Sequence, residues 1–179
     1  MSKLTTVENV KLYLNITDNQ EDDIIDLLIE DASSFFETYT NRKILTDTYV
    51  DIFKGRNYFH ILKNAPIQEI LSVKILNQEI KPQNRASFTE GYFFDKNKIV
   101  LYGYKFSNVD LGNEIIYKSG FDIVPKDIET AVIILTALRY KEKDRLGVKN
   151  KKINNEIVYF DLGIPEKVKL IMDQWIVPF

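Results

Sequence analysis

His60 is the only histidine in the chain, and no cysteine accompanies it. An imidazole that works as a general base or a metal ligand needs a partner: a nucleophile to deprotonate, or further donors to share the ion. His60 instead alternates with Phe59 and Ile61 in a β-rich run, so it reads as a pairing residue on one face of a strand. Asp22, Asp26 and Glu30 recur every four residues. Carboxylates stacked at that spacing on a helix could hold Mg²⁺ or Ca²⁺. Such oxygen sites usually draw on a loop or on several elements, so the plainer reading is a solvated acidic face. The glycines at 55, 91, 103, 112, 120, 147 and 163 form neither GxGxxG nor GxxxxGK[ST], the patterns that cradle phosphate. No cysteine–histidine cluster has zinc spacing. The chain is therefore expected to have no catalytic residue, no metal and no cofactor.

Charge is the next source of chemistry. The net charge of the 179 residues is −2, unevenly spread. Residues 1–40 carry nine carboxylates against Lys3 and Lys11, a net of −7. Residues 141–152 carry six basic residues, Lys149, Lys151 and Lys152 among them, against Glu142 and Asp144, a net of +4. Opposite poles can attract the next copy of the same chain, or they can be two solvated faces. Tyr140, Tyr159 and Phe160 lie near the basic stretch, a combination that suits nucleic acid. A specific DNA binder carries a basic domain and a recognisable reading motif, and neither is present, so only incidental contact with passing DNA is expected.

These residues must be positioned by helices at both ends and strands between them. Thr5-Thr6-Val7-Glu8 fits a capping box with Thr5 as the N-cap, opening a helix to Leu14. A longer helix is predicted from about Gln20 to Tyr39. Ile24, Ile25, Leu28, Ile29, Ala32, Phe35, Phe36 and Tyr39 fall on an arc of about 140°, with Asp26, Glu30, Ser33 and Glu37 opposite. Thr48–Phe53 and Tyr58–Leu62 read as a hairpin around Lys54-Gly55-Arg56-Asn57. Ile70–Leu76 reads as a strand turned back at Asn77-Gln78, Tyr92–Phe94 with Ile99–Leu101 as a second hairpin, and Glu114–Tyr117 as a last strand. Residues 82–91 read as a loop. A third helix begins at Val124–Asp127. Its run Ala131–Leu138 is apolar nearly all round, so it must be enclosed, either by its own subunit or by neighbouring ones. Residues 147–157 hold three lysines and three asparagines and little to bury, so they are expected to be mobile, with a strand at Ile157–Phe160. A last helix runs from Pro165 to about Trp175.

The fold class expected is α+β: a helical core of about four helices with an inserted antiparallel β subdomain. The expected divisions are 1–42, 43–121 and 122–179, packed as one compact domain. The absence of cysteine fits a reducing compartment. Residues 1–8 lack the apolar core of a secretory signal and no apolar run approaches a membrane span, so a soluble protein with no membrane partner is expected.

In order along the chain, Leu4–Ile16, the run Glu21-Asp22-Asp23 with Leu27-Leu28-Ile29 and Tyr39-Thr40-Asn41-Arg42, then Pro125 with Asp127-Ile128, Ala131 and Leu135, then Arg139–Lys149, and finally the segment from Pro165 are together similar to the head–tail connector (adaptor) proteins of tailed bacteriophages. The resemblance covers about 1–45 and 120–179; the β-rich middle departs from the shorter, mostly helical members. The resemblance implies a structural protein of the virion neck, assembled in the bacterial host cytoplasm. It implies a homo-oligomeric, dodecameric ring that joins the portal protein to the tail or next neck protein and extends the DNA channel. It implies no catalytic residues.

The last residues carry the docking expectation. Ile171, Met172, Trp175, Ile176 and Phe179 are large apolar groups at a chain end that would ordinarily be polar. They either fold back on their own core or insert into a partner; the resemblance favours the portal. With Lys149, Lys151 and Lys152 they form the candidate portal or subunit interface. The rival expectation is a soluble monomeric ligand-binding or DNA-binding regulatory domain.

Overall fold

The computed structural model describes residues 3–84, 89–143, 150–153, 156–159 and 163–176, the side chains of 150–153 and 156–159 excepted. The chain opens with α1 (Val7–Leu14). Its N-cap is Thr6, one residue later than the capping box predicts: the Thr6 hydroxyl accepts from the Asn9 amide at 3.3 Å, while Thr5 is buried. Asn15 ends the helix in the left-handed conformation, and Asn41 ends α2 (Asp22–Thr40) in the same way.

The buried face of α2 is turned from the apolar arc read in the sequence. Ile25, Ile29, Ala32 and Phe36 are buried, but so are Ser33, Glu37 and Thr40, whereas Ile24 is exposed. Hydrogen bonds allow Ser33 and Thr40 inside: the Ser33 hydroxyl accepts from the Leu4 amide at 3.1 Å, and Thr40 donates to the Phe36 carbonyl at 2.8 Å.

The chain then builds β1 (Asp47–Phe53), β2 (Phe59–Ile61), β3 (Ile67–Ile75), β4 (Gln78–Glu79), β5 (Gly91–Asp95), β6 (Lys98–Tyr102) and β7 (Asn113–Ser119). These form two antiparallel sheets, β1-β7-β3-β4 and β2-β6-β5. The hairpin expected between Thr48–Phe53 and Tyr58–Leu62 does not form; the two strands belong to different sheets. The backbone between them is claimed elsewhere: Gly55 N–H donates to Ser107, Asn57 accepts from Phe106, and Tyr58 accepts from Leu101. The turn after β3 falls at Leu76-Asn77, one residue early, with φ of 50° and 65° at the two positions, the pattern that matches strand twist in a two-residue hairpin. The β5–β6 hairpin turns at Lys96-Asn97. The inner faces of both sheets share one core, in which Tyr92, Ile99, Leu101, Ile115 and Tyr117 are buried.

The last elements are α3 (Lys126–Glu142), a paired hairpin β8 (Asn150–Ile153) and β9 (Glu156–Tyr159), and α4 (Glu166–Trp175). Two residues separate β8 from β9, a tight-hairpin spacing that the sequence reading, with a single strand here, did not use. Of the stretch 147–157 expected to be mobile, residues 147–149 and 154–155 lie outside the described residues, and the rest lies on β8 and the start of β9. Helix α3 packs against α1, α2 and α4. Its apolar circumference is thus enclosed by helices of the same subunit, with Ala131, Val132, Leu135 and Ala137 buried.

The chain divides into two compact units, Lys43–Ile123 and a helical unit drawn from Met1–Arg42 and Val124–Phe179. Within the β unit, the incoming and outgoing chains lie side by side: Leu45 bridges Phe121, Thr46 N–H donates to Phe121, and Phe121 N–H donates to Ile44. Gly120 makes this closure possible. Its φ is +122°, and a methyl group there would stand 2.6 Å from the Leu45 carbonyl oxygen. Gly120→Ala is therefore expected to destabilise the β unit by about 1–3 kcal/mol, measured as a lowered urea midpoint. An unchanged midpoint would show that the closure relaxes freely.

Candidate interaction surface

The acidic face of the N-terminal helices is largely neutralised within its own unit. Lys11 meets Asp22 at 2.8 Å; Lys3 meets Asp26 at 2.7 Å and Glu30 at 3.5 Å; Arg139 meets Asp31 at 2.7 Å. Glu21 accepts from the Tyr140 hydroxyl and pairs with Lys143. Hydrogen bonds from Lys143 and then Tyr140 hold the Glu21 carboxyl below its ordinary value, and Glu21 in turn raises the Tyr140 hydroxyl. Asp22, Asp26 and Glu30, the helical carboxylate ladder, each face a lysine. The acidic segment and the first residues of the basic one thus meet inside a single unit.

The predicted interface residues separate into inner and outer sets. Met172 is fully buried, together with Val168, on the inner side of α4. Trp175 is half-buried and held by its own unit: its indole N–H donates to Asp127 at 2.7 Å, and the Arg42 guanidinium lies 5.2 Å from the ring centroid. Burial lowers the Arg42 pKa. Asp173 accepts from the Tyr39 hydroxyl at 2.7 Å, which raises that hydroxyl's pKa. Ile171 is half-buried, and Ile176 is exposed. Leu170, which the sequence reading did not single out, is 59% exposed. Lys151 and Lys152 lie on β8, described in backbone only; Lys149 and Phe179 lie outside the described residues. The α4 segment therefore has one side in the subunit's own core, while Leu170 on the helix and Ile176 just past its end are exposed. Arg42 and Asp127 entered the sequence reading as parts of the resemblance, and nothing there paired them with Trp175. The lone Trp175, which needs a partner for its N–H, was the available signal.

His60 lies on the inner side of its sheet, stacked on Phe53 with ring centroids 3.5 Å apart. Its Nε2 stands 3.8 Å from Asp51 Oδ2, beyond hydrogen-bond range. Asp51 is buried and accepts from the Lys63 amide and the Tyr117 hydroxyl, both at 3.4 Å. Burial pushes the Asp51 carboxyl up, but His60 and the Lys63 amide outweigh it, and the carboxyl ends below its ordinary value. The group joins β1, β2 and β7 around one charge.

Among the described residues, no group of three or more histidine, cysteine, aspartate or glutamate side chains is placed to hold a metal ion, and no helix is long and apolar enough to cross a membrane.

Comparison with known proteins gives one family. The family model described as "Head completion protein" matches residues 3–175, including the β-rich middle that the sequence resemblance did not cover. None of the curated proteins compared with the chain matches it. Among solved structures, the chain resembles one from the neck of a native gene transfer agent (GTA) particle computed with C12 symmetry, with a TM-score of 0.62 at 14% identity over 97% of this chain and 88% of that one. A chain from the neck of an empty GTA particle computed with C6 symmetry gives 0.62 at 15% identity over 97% and 89%. One from the virion of the native GTA particle gives 0.63 at 15% identity with the same coverage.

Two outcomes follow from the geometry. Trp175→Ala should destabilise the helical unit by about 2 kcal/mol, while Trp175→Phe should cost about 1 kcal/mol for the lost hydrogen bond; thermal denaturation of both variants checks this. Asp51 has a folded pKa below its unfolded one, so its stabilisation is present above about pH 4 and is lost as the pH falls through the lower folded value. Asp51→Ala should cost about 1–3 kcal/mol at neutral pH. The gap between variant and wild type should narrow on acidification, read from urea midpoints at stepped pH.

Proposed function

Because the chain belongs to the head completion protein family, we propose that it is a structural protein of the neck of a phage-like particle. In this reading twelve copies form a ring that joins the portal at the capsid vertex to the tail or the next neck protein and extends the DNA channel. It assembles in the host cytoplasm, and DNA touches it only in passing. The match of the family model from residue 3 to residue 175 carries the reading. The shared fold with chains from GTA necks supports it, since those necks were computed with twelve-fold and six-fold symmetry. The enclosure of α3 by its own helices removes that helix as a reason for assembly, so the contacts must come from other surfaces.

The portal-facing surface proposed is the outer side of α4, with Leu170 and Ile176 exposed and Ile171 and Trp175 at its edge, together with Phe179 and the basic residues Lys149, Lys151 and Lys152. Met172 belongs to the core instead. Apolar anchors ringed by charge are the usual composition of an interface centre.

Co-expression with the portal protein, followed by electron microscopy, tests the reading: rings stacked on the portal are expected. Leu170→Asp combined with Ile176→Asp should leave thermal stability nearly unchanged, since both side chains are exposed, and should abolish portal binding. Wild-type protein that never joins the portal would refute the function. A double variant that joins it normally would refute only the α4 surface.

A further inference from the structure

The outer face of the three-stranded sheet is apolar where an uncovered sheet face would ordinarily be polar. Register places Val100 of β6 between Phe59 of β2 and Phe93 of β5. Ile61 and Tyr102 lie on the same face, and Tyr58 adjoins it, its ring 5.5 Å from that of Phe59. These side chains are open to solvent: Tyr58 57%, Phe59 38%, Ile61 59% and Tyr102 50% exposed. Lys98 lies on the same face with Asp95 of β5 opposite it, and Arg56 is exposed three residues before β2. Aromatic and aliphatic groups gathered in one uncovered patch are the composition of an interface, not of a solvated face.

The chain carries a second uncovered apolar surface of opposite electrical character. On α2, Ile24 is 43% and Leu27 65% exposed. At 100° per residue they share an arc of about 100° with Asp23 and Asp31, both exposed. The two units differ in sign as a whole. Lys43–Ile123 holds eleven basic and nine acidic residues, a net of +2, while the remainder holds thirteen basic and seventeen acidic residues, a net of −4.

We propose that the occupant of the aromatic sheet face is a second copy of this chain, which presents the Ile24–Leu27 face of its α2. Apolar surface meets apolar surface, and the charges beside it are complementary: Arg56 in a unit of net +2 against Asp23 in a unit of net −4. The contact joins two different patches, so it is head-to-tail. Two joined copies keep one free patch of each kind between them, and repetition through a rotation that closes gives a ring. This inference rests on the ring reading above and names the surfaces that make the ring.

The experiment uses two full-length variants, Ile61→Asp on the sheet face and Leu27→Asp on α2. Both positions are exposed, and retained circular dichroism and melting temperature would show that both fold. Native mass spectrometry and electron microscopy would follow each protein alone and co-expressed with the portal. Wild type should give closed rings, and each variant alone should lose them. An equimolar mixture of the two variants should give a one-to-one dimer and nothing larger, because Leu27→Asp keeps its sheet face and Ile61→Asp keeps its α2 face. A second pair guards against misfolding. Arg56→Glu and Asp23→Lys should each weaken ring formation, and both reversals in one chain should restore it. Rings from either aspartate variant alone, or a mixture with no dimer, would overturn the interface while leaving the ring reading intact. Wild type that forms no ring under either condition would overturn both.

Discussion

A helix with no polar side must be surrounded, and α3 sets that condition for the helical unit. Its middle carries Ala131, Val132, Leu135 and Ala137 in full burial, with Ile133, Ile134 and Leu138 partly covered. Leaving one such side chain in water forgoes about 1.5–3 kcal/mol. Three other helices are consequently drawn around it, although α1, α2 and α4 come from opposite ends of the chain. The polar contacts that fasten these helices follow from the same packing. Asn9 of α1 reaches Glu129 at 2.8 Å, Arg139 reaches Asp31 of α2 at 2.7 Å, and Asp127 receives the indole of α4 at 2.7 Å. Each bond has one end on α3.

Enclosure also settles what the uneven charge does. Exposed ion pairs contribute little to stability one by one, with a median of about 0–1 kcal/mol. Here Lys11–Asp22 and Lys143–Glu21 are part-buried and lie where helices adjoin, while Lys3, ahead of α1, meets Asp26 of α2. Their effect is to fix which helix meets which, because a slipped helix would set carboxylate against carboxylate. Charge on the N-terminal helices thus acts as a positional code inside the unit, and the net imbalance that remains is what a neighbour can sense.

The helices and most strands were legible, α2 from its helical period, β3 from alternation, and α3, β6 and β7 from continuous apolar runs. Other features were not. The inward turn of Ser33 and Thr40 depends on hydrogen bonding that hydropathy does not encode. The pairing of β1 with β7 spans more than sixty residues and could not compete, on local signals, with the apparent hairpin to β2. Met172 faces inward while Leu170 faces out, and spacing alone does not say which of them lies in the core. The outer sheet face was hidden for a related reason: Phe59 and Phe93 became neighbours of Val100 only when the strand order placed β6 between β2 and β5.

The side-by-side bridge between Leu45 and Phe121 bears on how such a chain can vary and fold. An insertion of about eighty residues would tax the helices around it if its ends wandered freely, since loop closure grows with the logarithm of length. The β unit brings its own ends together through Ile44, Leu45, Thr46 and Phe121. Once it has folded, the helices are joined across what behaves as a short connection. A module closed at its own neck can lengthen, shrink or be exchanged for another while the helical framework retains its geometry, which leaves the inserted surface free to diverge faster than the frame that carries it.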